Sequence, residues 1–232
     1  MTQRITQLPK PDAGQYSEDR KLFLVPNFMI PPNAPKEGQD LLEGYWSEVR
    51  SHIENLERSL GKVTHVYHEI VYSDGDEGLS MLQEVNPKGS AFIQVLCQSD
   101  AKLEAAEDKA LVEESMDWQR CLTIGLASEK VANLFRQAFQ KTAMEGFQEA
   151  TQGFQEATQG RFDHIAKKID DTLKVGESSV LFIGEGHRIQ FPSDVRVFYV
   201  APPSLDALKR WLSGPPPMPQ PTTPSDPEPT GE

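Results

Sequence analysis

Apolar and polar positions follow two different periods along the chain, and their order predicts the elements of the fold. Runs of apolar and β-branched residues predict strands at 21–30, 62–72, 101–105, 180–183 and 195–200. Apolar residues spaced three or four apart predict amphipathic helices at 38–60, 79–85, 107–122 and 204–212. Residues 90–99 fit both periods, and we expect a helix there.

The order of these elements predicts an α/β fold, a single-domain layered sandwich with a mixed central sheet. The runs at 180–183 and 195–200 lack polar alternation. Such continuous apolar character is typical of strands that are covered on both faces. From 128 to about 173 helix-forming residues dominate without a proline, which predicts one long helix or a helical hairpin with a break near Gly160.

This helical region contains a literal repeat, because GFQEATQ occupies 146–152 and again 153–159. Seven residues are close to two helical turns, so an added copy rotates the downstream face by only about 20°. The repeat produces a stripe of small residues, namely Gly146, Ala150, Gly153, Ala157 and Gly160. Two interpretations stay open: a close helix–helix seam, for which a dimer interface is one option, or a neutral duplication in an exposed or protruding helical hairpin.

Both ends of the chain differ in composition from the middle. Residues 1–20 are polar and interrupted by proline and glycine, and 213–232 are rich in proline without apolar periodicity. Such segments bury too little apolar surface to offset their ordering entropy. We therefore expect a disordered leader, one α/β domain at 21–212, and a disordered acidic tail.

Net charge and hydropathy limit the classes of partner. The formal net charge is −12, and no dense basic cluster is present, so direct nucleic-acid binding is disfavoured. No apolar run is long enough for a membrane span, and the N-terminus lacks the apolar core of a signal peptide. We expect a cytoplasmic protein in which Cys97 and Cys121 are buried free thiols.

The loop Gly-Glu-Gly-His after the run 180–183 is the best candidate site. Backbone N–H groups at Gly184 and Gly186 could face an anion, but no helix opens after them, which argues against a phosphate cradle. Glu185 and His187, approached by Asp194 from the next strand, could transfer protons or hold a metal. The alternative is a turn in which His187 bonds to a carbonyl and Glu185 is solvated.

Other polar clusters give weaker indications. In the segment THVYHE, a strand places His65, Tyr67 and Glu69 on one face and His68 on the other, which separates the two histidines. The acidic run SDGDEG at 73–78 lacks the ligand ladder of an EF-hand and fits a solvated turn. Neither of these two clusters therefore predicts a metal site, and the sequence identifies no cofactor.

One segment resembles a known group. The run KKIDDTLKVGESSVLFIGEGHRI, followed by PSDVRVFYV, and the early RKLFLVPNFMI are similar to small prokaryotic proteins. In general build these resemble single domains of the archaeal-type peptide chain release factor and Pelota family. The resemblance implies an α/β sandwich and ribosome-linked or stress-related biology. Because the chain contains no Gly-Gly-Gln, the family's peptide-release activity is not expected.

Two functions are compatible with these features. The first is a non-enzymatic interaction domain that binds a protein partner or a second copy, as the acidic surface, long helix and proline-rich tail suggest. The second is a small-molecule or metal-dependent enzyme that uses Gly184–His187 and Asp194. The first is the preferred hypothesis.

Overall fold

The computed structural model describes residues 13–127 and 143–214, together with the isolated positions 130 and 133. Within them five strands form one sheet: β1 Arg20–Pro26, β2 Val63–His68, β3 Lys102–Leu103, β4 Ser178–Ile183 and β5 Val195–Tyr199. The α-helices of the same residues are α1 Lys36–Leu60, α2 Gly75–Val85, α3 Pro87–Gln98, α4 Lys109–Ala127, α5 Ala143–Thr172 and α6 Ser204–Ser213.

The sheet has the order β3-β2-β4-β1-β5, and every pair of neighbouring strands is parallel. The predicted mixed sheet is therefore wrong in this respect, whereas the α/β class is confirmed. The last two strands do not pair with each other but flank β1. Residues 184–194 must then return from the carboxyl end of β4 to the amino end of β5, a distance that eleven extended residues cover easily.

Alternate side chains of the central strands enter two cores, as expected for a sheet covered on both faces. Phe23, Val66 and Phe182 lie in the first core, beneath α1, α2, α3 and α6. Leu24 and Leu181 lie in the second core, beneath the carboxyl-terminal half of α5. The molecule is therefore a layered α/β sandwich, and the continuous apolar runs of β1 and β4 follow from their burial on both sides. The predicted burial of 195–200 on both faces is wrong, because β5 is an edge strand with exposed side chains.

Helices α4 and α5 pack along each other as an antiparallel hairpin. α5 passes through Gly160 without the expected break, and its 30 residues span about 45 Å. Its last three turns cover the sheet, where Arg20 of β1 donates to the carbonyls of Asp170 and Leu173. Strands of six residues span only about 20 Å. About 25 Å of α5 therefore extends beyond the carboxyl edge of the sheet.

The small-residue stripe faces α4 of the same chain. A Cβ placed on Gly153 would lie 2.4 Å from the Trp118 ring, and one on Gly160 would lie 3.3 Å from Leu111. Leu111 and Trp118 are seven residues apart, as are the two glycines, so the repeat in α5 matches a seven-residue spacing in α4. A Cβ on Gly146 meets nothing within 4 Å.

The domain begins before residue 21. Ala13–Tyr16 form a short 3-10 turn, the Tyr16 ring packs edge-on against Phe198 at 5.4 Å, and Lys21 Nζ donates to the Tyr16 carbonyl. Residues 13–19 are thus part of the fold rather than of an unstructured leader. The predictions of disorder for residues 1–12 and 215–232 concern segments outside the described residues.

Two smaller expectations are also answered by the described residues. Both cysteines are free, but Cys121 is exposed on α4 rather than buried, and Cys97 is partly buried. No helix in this part of the chain has both the length and the apolar character needed to cross a membrane.

We predict opposite effects for two glycines of the repeat. Gly153→Leu should lower the free energy of unfolding by about 1–3 kcal/mol, because the side chain overlaps Trp118. Gly146→Ala should raise it by up to about 1 kcal/mol, because alanine favours the helix and meets no neighbour. Urea denaturation followed by circular dichroism measures both. Equal effects of the two substitutions would contradict this seam.

Candidate functional site

The structure does not bring the three predicted catalytic side chains together. Glu185 and His187 follow β4 at the carboxyl edge of the sheet, whereas Asp194 precedes β5 at the amino edge. Because β4 and β5 run in the same direction, the two edges are separated by the length of a strand, about 20 Å. The expectation that Asp194 approaches from the next strand required an antiparallel pair and is wrong.

Asp194 instead has a structural role, because it forms an ion pair with Arg20. The buried Arg20 guanidinium donates to both of its carboxylate oxygens, at 2.8 and 2.6 Å, and also to Asp170 of α5 at 2.9 Å. The hydrogen bond from Arg20 lowers the pKa of Asp194. Arg20 thereby ties the start of β1, the start of β5 and the end of α5 into one corner.

Glu185 turns toward the end of β5 and helix α6. Its Oε1 accepts from the Tyr199 hydroxyl and from Lys209 Nζ, each at 2.7 Å. Burial alone would raise the pKa of Glu185, but these two donors outweigh it and lower the pKa. Glu185 is thus an ionised carboxylate in a surface cluster with Tyr199 and Lys209.

His187 turns the other way. Its Nδ1 accepts from the Ile189 N–H at 3.4 Å, and its ring stands edge-on to Phe191 at 6.0 Å. Burial lowers the pKa of His187, which favours the neutral ring. Gly186 is exposed and open. Glu185 and His187 therefore have different partners, and neither bonds to the other.

A polar group that the sequence analysis missed lies next to Gly184. Glu69 follows β2, Asn27 follows β1, and Asn27 Nδ2 donates to Glu69 Oε1 at 2.8 Å. The Gly184 N–H also bonds to the Glu69 carboxyl, and a Cβ on Gly184 would lie 3.5 Å from Oε2. Because β2, β4 and β1 are adjacent, their ends bring these three residues to one point of the carboxyl edge.

The chain leaves Glu69 through a strained turn. Ile70 has φ 74°, a left-handed conformation that a β-branched residue rarely adopts. The Val71 N–H donates to the His68 carbonyl at 3.2 Å and closes the turn. Glycine or asparagine normally occupies this position of such a turn. Strain of about 1–3 kcal/mol persists only where the surroundings enforce it, and it is typical of functional sites.

Glu107 and Arg161 form the neighbouring wall. Glu107 N–H donates to the Val71 carbonyl at 2.9 Å, which attaches the start of α4 to the strained turn. Arg161 of α5 binds the buried Glu107 carboxylate through Nε and Nη2. This wall lies where the hairpin leaves the sheet. Arg161 lowers the pKa of Glu69 and Glu107 raises it, and these two charges are already paired with each other.

Glu69 has the properties of a proton-transfer group. Burial raises its pKa, and the hydrogen bonds from Gly184 and Asn27 offset the rise only in part. A carboxyl shifted toward neutral pH can take and return a proton. The sequence contained a signal for it, since polar residues directly follow two apolar strands. The predicted strand at 62–72 includes Glu69, whereas β2 ends at His68, so the sequence pattern did not mark Glu69 as a residue at the end of a strand.

Two further observations bear on the site. Among the described residues no cluster of three or more His, Cys, Asp and Glu side chains is placed to hold a metal ion. Comparison of the chain with protein-family models, curated proteins and solved structures finds no match. The resemblance to the release factor and Pelota family therefore stays a prediction, and the function has to be argued from geometry.

The stability of the protein should decrease as the pH rises through the pKa of Glu69. The unfolded side chain titrates near ~4.3, and the folded pKa is higher, so between the two values the native state holds more protons. This stabilisation is complete below the unfolded pKa and is lost as pH rises through the folded pKa.

Chemical denaturation of wild type and Glu69→Gln across this pH interval measures the effect as a difference between the two proteins. Burial lowers the pKa of His68 to about 4, but His68 titrates in both proteins and cancels in the difference. A difference that does not change with pH would contradict the raised pKa of Glu69.

Proposed function

We propose that the protein binds a small polar ligand at the carboxyl edge of its sheet and that Glu69 exchanges a proton with this ligand. The observation that carries the proposal is the Glu69 carboxyl, held by Asn27 at 2.8 Å and by the Gly184 N–H at the ends of three adjacent parallel strands. Ligands of parallel α/β sheets bind outside the carboxyl ends of the strands.

The surroundings of Glu69 support this chemistry. Asn27 is only 7% exposed, so it is held rigidly, whereas Glu69 itself is partly exposed and can meet a ligand. Glu185, Tyr199 and Lys209 form a polar cluster one residue beyond Gly184, on the opposite side from Glu69. A ligand above Gly184 would therefore meet a proton-exchanging carboxyl on one side and fixed donors on the other.

The proposal is tested by ligand-observed NMR with a panel of small anionic, cationic and uncharged metabolites. We expect the compounds that bind wild type to bind Glu69→Gln at least about tenfold more weakly, because a hydrogen bond to a charged group is lost. The matched control is Glu54→Gln, an exposed carboxyl on α1 away from this edge, which should bind as wild type does. Compounds that bind both variants equally would refute the assignment to Glu69.

A second candidate function, interaction with another protein, rests on the hairpin. Among the described residues of α4 and α5, exposed carboxyl groups outnumber exposed cations: Glu113, Glu114, Asp117, Glu145, Glu149, Glu156, Asp163, Asp170 and Asp171 against Lys109, Arg120 and Lys167. Exposed Met116 and Phe147 add apolar surface. Like charges oppose pairing of two copies, so this surface fits a basic partner protein.

This second candidate predicts a salt-sensitive interaction. Immobilised wild type should retain a basic protein from lysate at low salt, and the combined Glu145→Gln, Glu149→Gln and Glu156→Gln variant should retain much less. The control neutralises the same number of carboxyls on α1, at Glu37, Asp40 and Glu43. Equal retention by the two variants would argue against the hairpin.

A further inference from the structure

A chain of hydrogen bonds connects the first turn of α3 to Glu69. The Gly89 N–H donates to Asn86 Oδ1 at 3.0 Å, and Asn86 Nδ2 donates to Asn27 Oδ1 at 3.0 Å. Asn27 Nδ2 then donates to Glu69 Oε1 at 2.8 Å. Two side-chain amides thus join a backbone N–H at a helix N-terminus to the carboxyl at the sheet edge.

The direction of this chain follows from its first member. A backbone N–H can only donate, so the Asn86 atom that faces Gly89 must be the oxygen. Asn86 therefore presents its NH2 group to Asn27, and the Asn27 atom that receives it must be oxygen. Asn27 is left with its NH2 group toward Glu69. The Gly89 N–H thereby determines that Glu69 meets a donor.

Burial prevents this chain from reversing freely. Asn86 is 3% exposed and Asn27 is 7% exposed, so water does not readily replace a lost partner. Rotation of either amide by half a turn would place two oxygens or two NH2 groups against each other. Asn86 also caps α3, whose partly positive N-terminus favours oxygen at this position.

We propose that Asn86 is a positioning residue that fixes Asn27 as a donor and thereby keeps Glu69 ready to accept a proton from the ligand. This inference rests on the proposed function of Glu69. In this inference the buried helix cap Asn86 controls the protonation of Glu69 without touching it. The cap and the site are coupled because the two amides have only one satisfied orientation.

The test measures the titration of Glu69 by NMR of 13C-labelled glutamate, with Glu69→Gln identifying the signal. Asn86→Ser keeps an oxygen to cap α3 but no longer reaches Asn27, and Asn86→Asp keeps the cap but turns the donor into an acceptor. In Asn86→Ser, Asn27 is free to turn its oxygen toward Glu69. In Asn86→Asp, Asn27 is forced to turn its oxygen toward Glu69, because its NH2 group must face the new carboxylate. We expect the Glu69 pKa to rise by about one unit or more in both variants.

Asn86→Ser carries no added charge and so separates orientation from electrostatics. A rise in Asn86→Asp alone would be an effect of the new charge and would overturn the inference, as would an unchanged titration in both. Thermal melts check folding, and Asn86→Thr supplies the same cap if the serine variant is unstable. The titration requires no ligand, so its outcome is independent of the ligand-binding test. The coupling of Asn86 to Glu69 can be confirmed although no ligand binds, and it can be refuted although ligands bind.

Discussion

Parallel pairing of β1 with both of its neighbours is the constraint on which the arrangement of side chains depends. Because β1, β2 and β4 run in one direction, the residues that follow them meet at a single edge of the sheet. Asn27, Glu69 and Gly184 are 42 or more positions apart in sequence and still share hydrogen bonds. The same constraint carries Asp194 to the opposite edge, where Arg20 binds it.

The two edges of the sheet consequently have different roles. At the amino edge, the Arg20 guanidinium donates to the carboxylates of Asp194 and Asp170. These bonds join β1, β5 and α5 in one rigid corner. At the carboxyl edge, a carboxyl with a raised pKa stands beside a left-handed isoleucine. A partly buried carboxyl and a strained turn each cost stability, and the well-packed cores on both faces of the sheet offset that cost.

Much of the fold could be predicted from the sequence, because local periodicity reports burial directly. The apolar runs of β1 and β4 and the stripe of α1 required no knowledge of distant contacts. Strand direction did require it: nothing in residues 184–194 distinguishes a hairpin from a crossover. Once β4 and β5 were expected to pair, Asp194 was grouped with the wrong residues.

The site was harder to predict than the fold for a related reason. Glu69 was visible as one polar residue in a strand-like segment, but its importance comes from Asn27 and Asn86, which belong to other elements. The pattern of residues along one sequence does not show which loops lie at the same edge of the sheet. The glycine loop at 184–187 was correctly located after a strand, yet its contribution comes from the Gly184 backbone rather than from a side chain.

The matching seven-residue spacings of α4 and α5 make the length of the hairpin independent of the sheet. Removal of one GFQEATQ copy would shorten α5 by about 10 Å and present an equivalent glycine to Trp118, while Arg161 and everything after it kept their places. The length of α5 beyond the sheet can therefore change by one whole repeat without any alteration of the residues around Glu69.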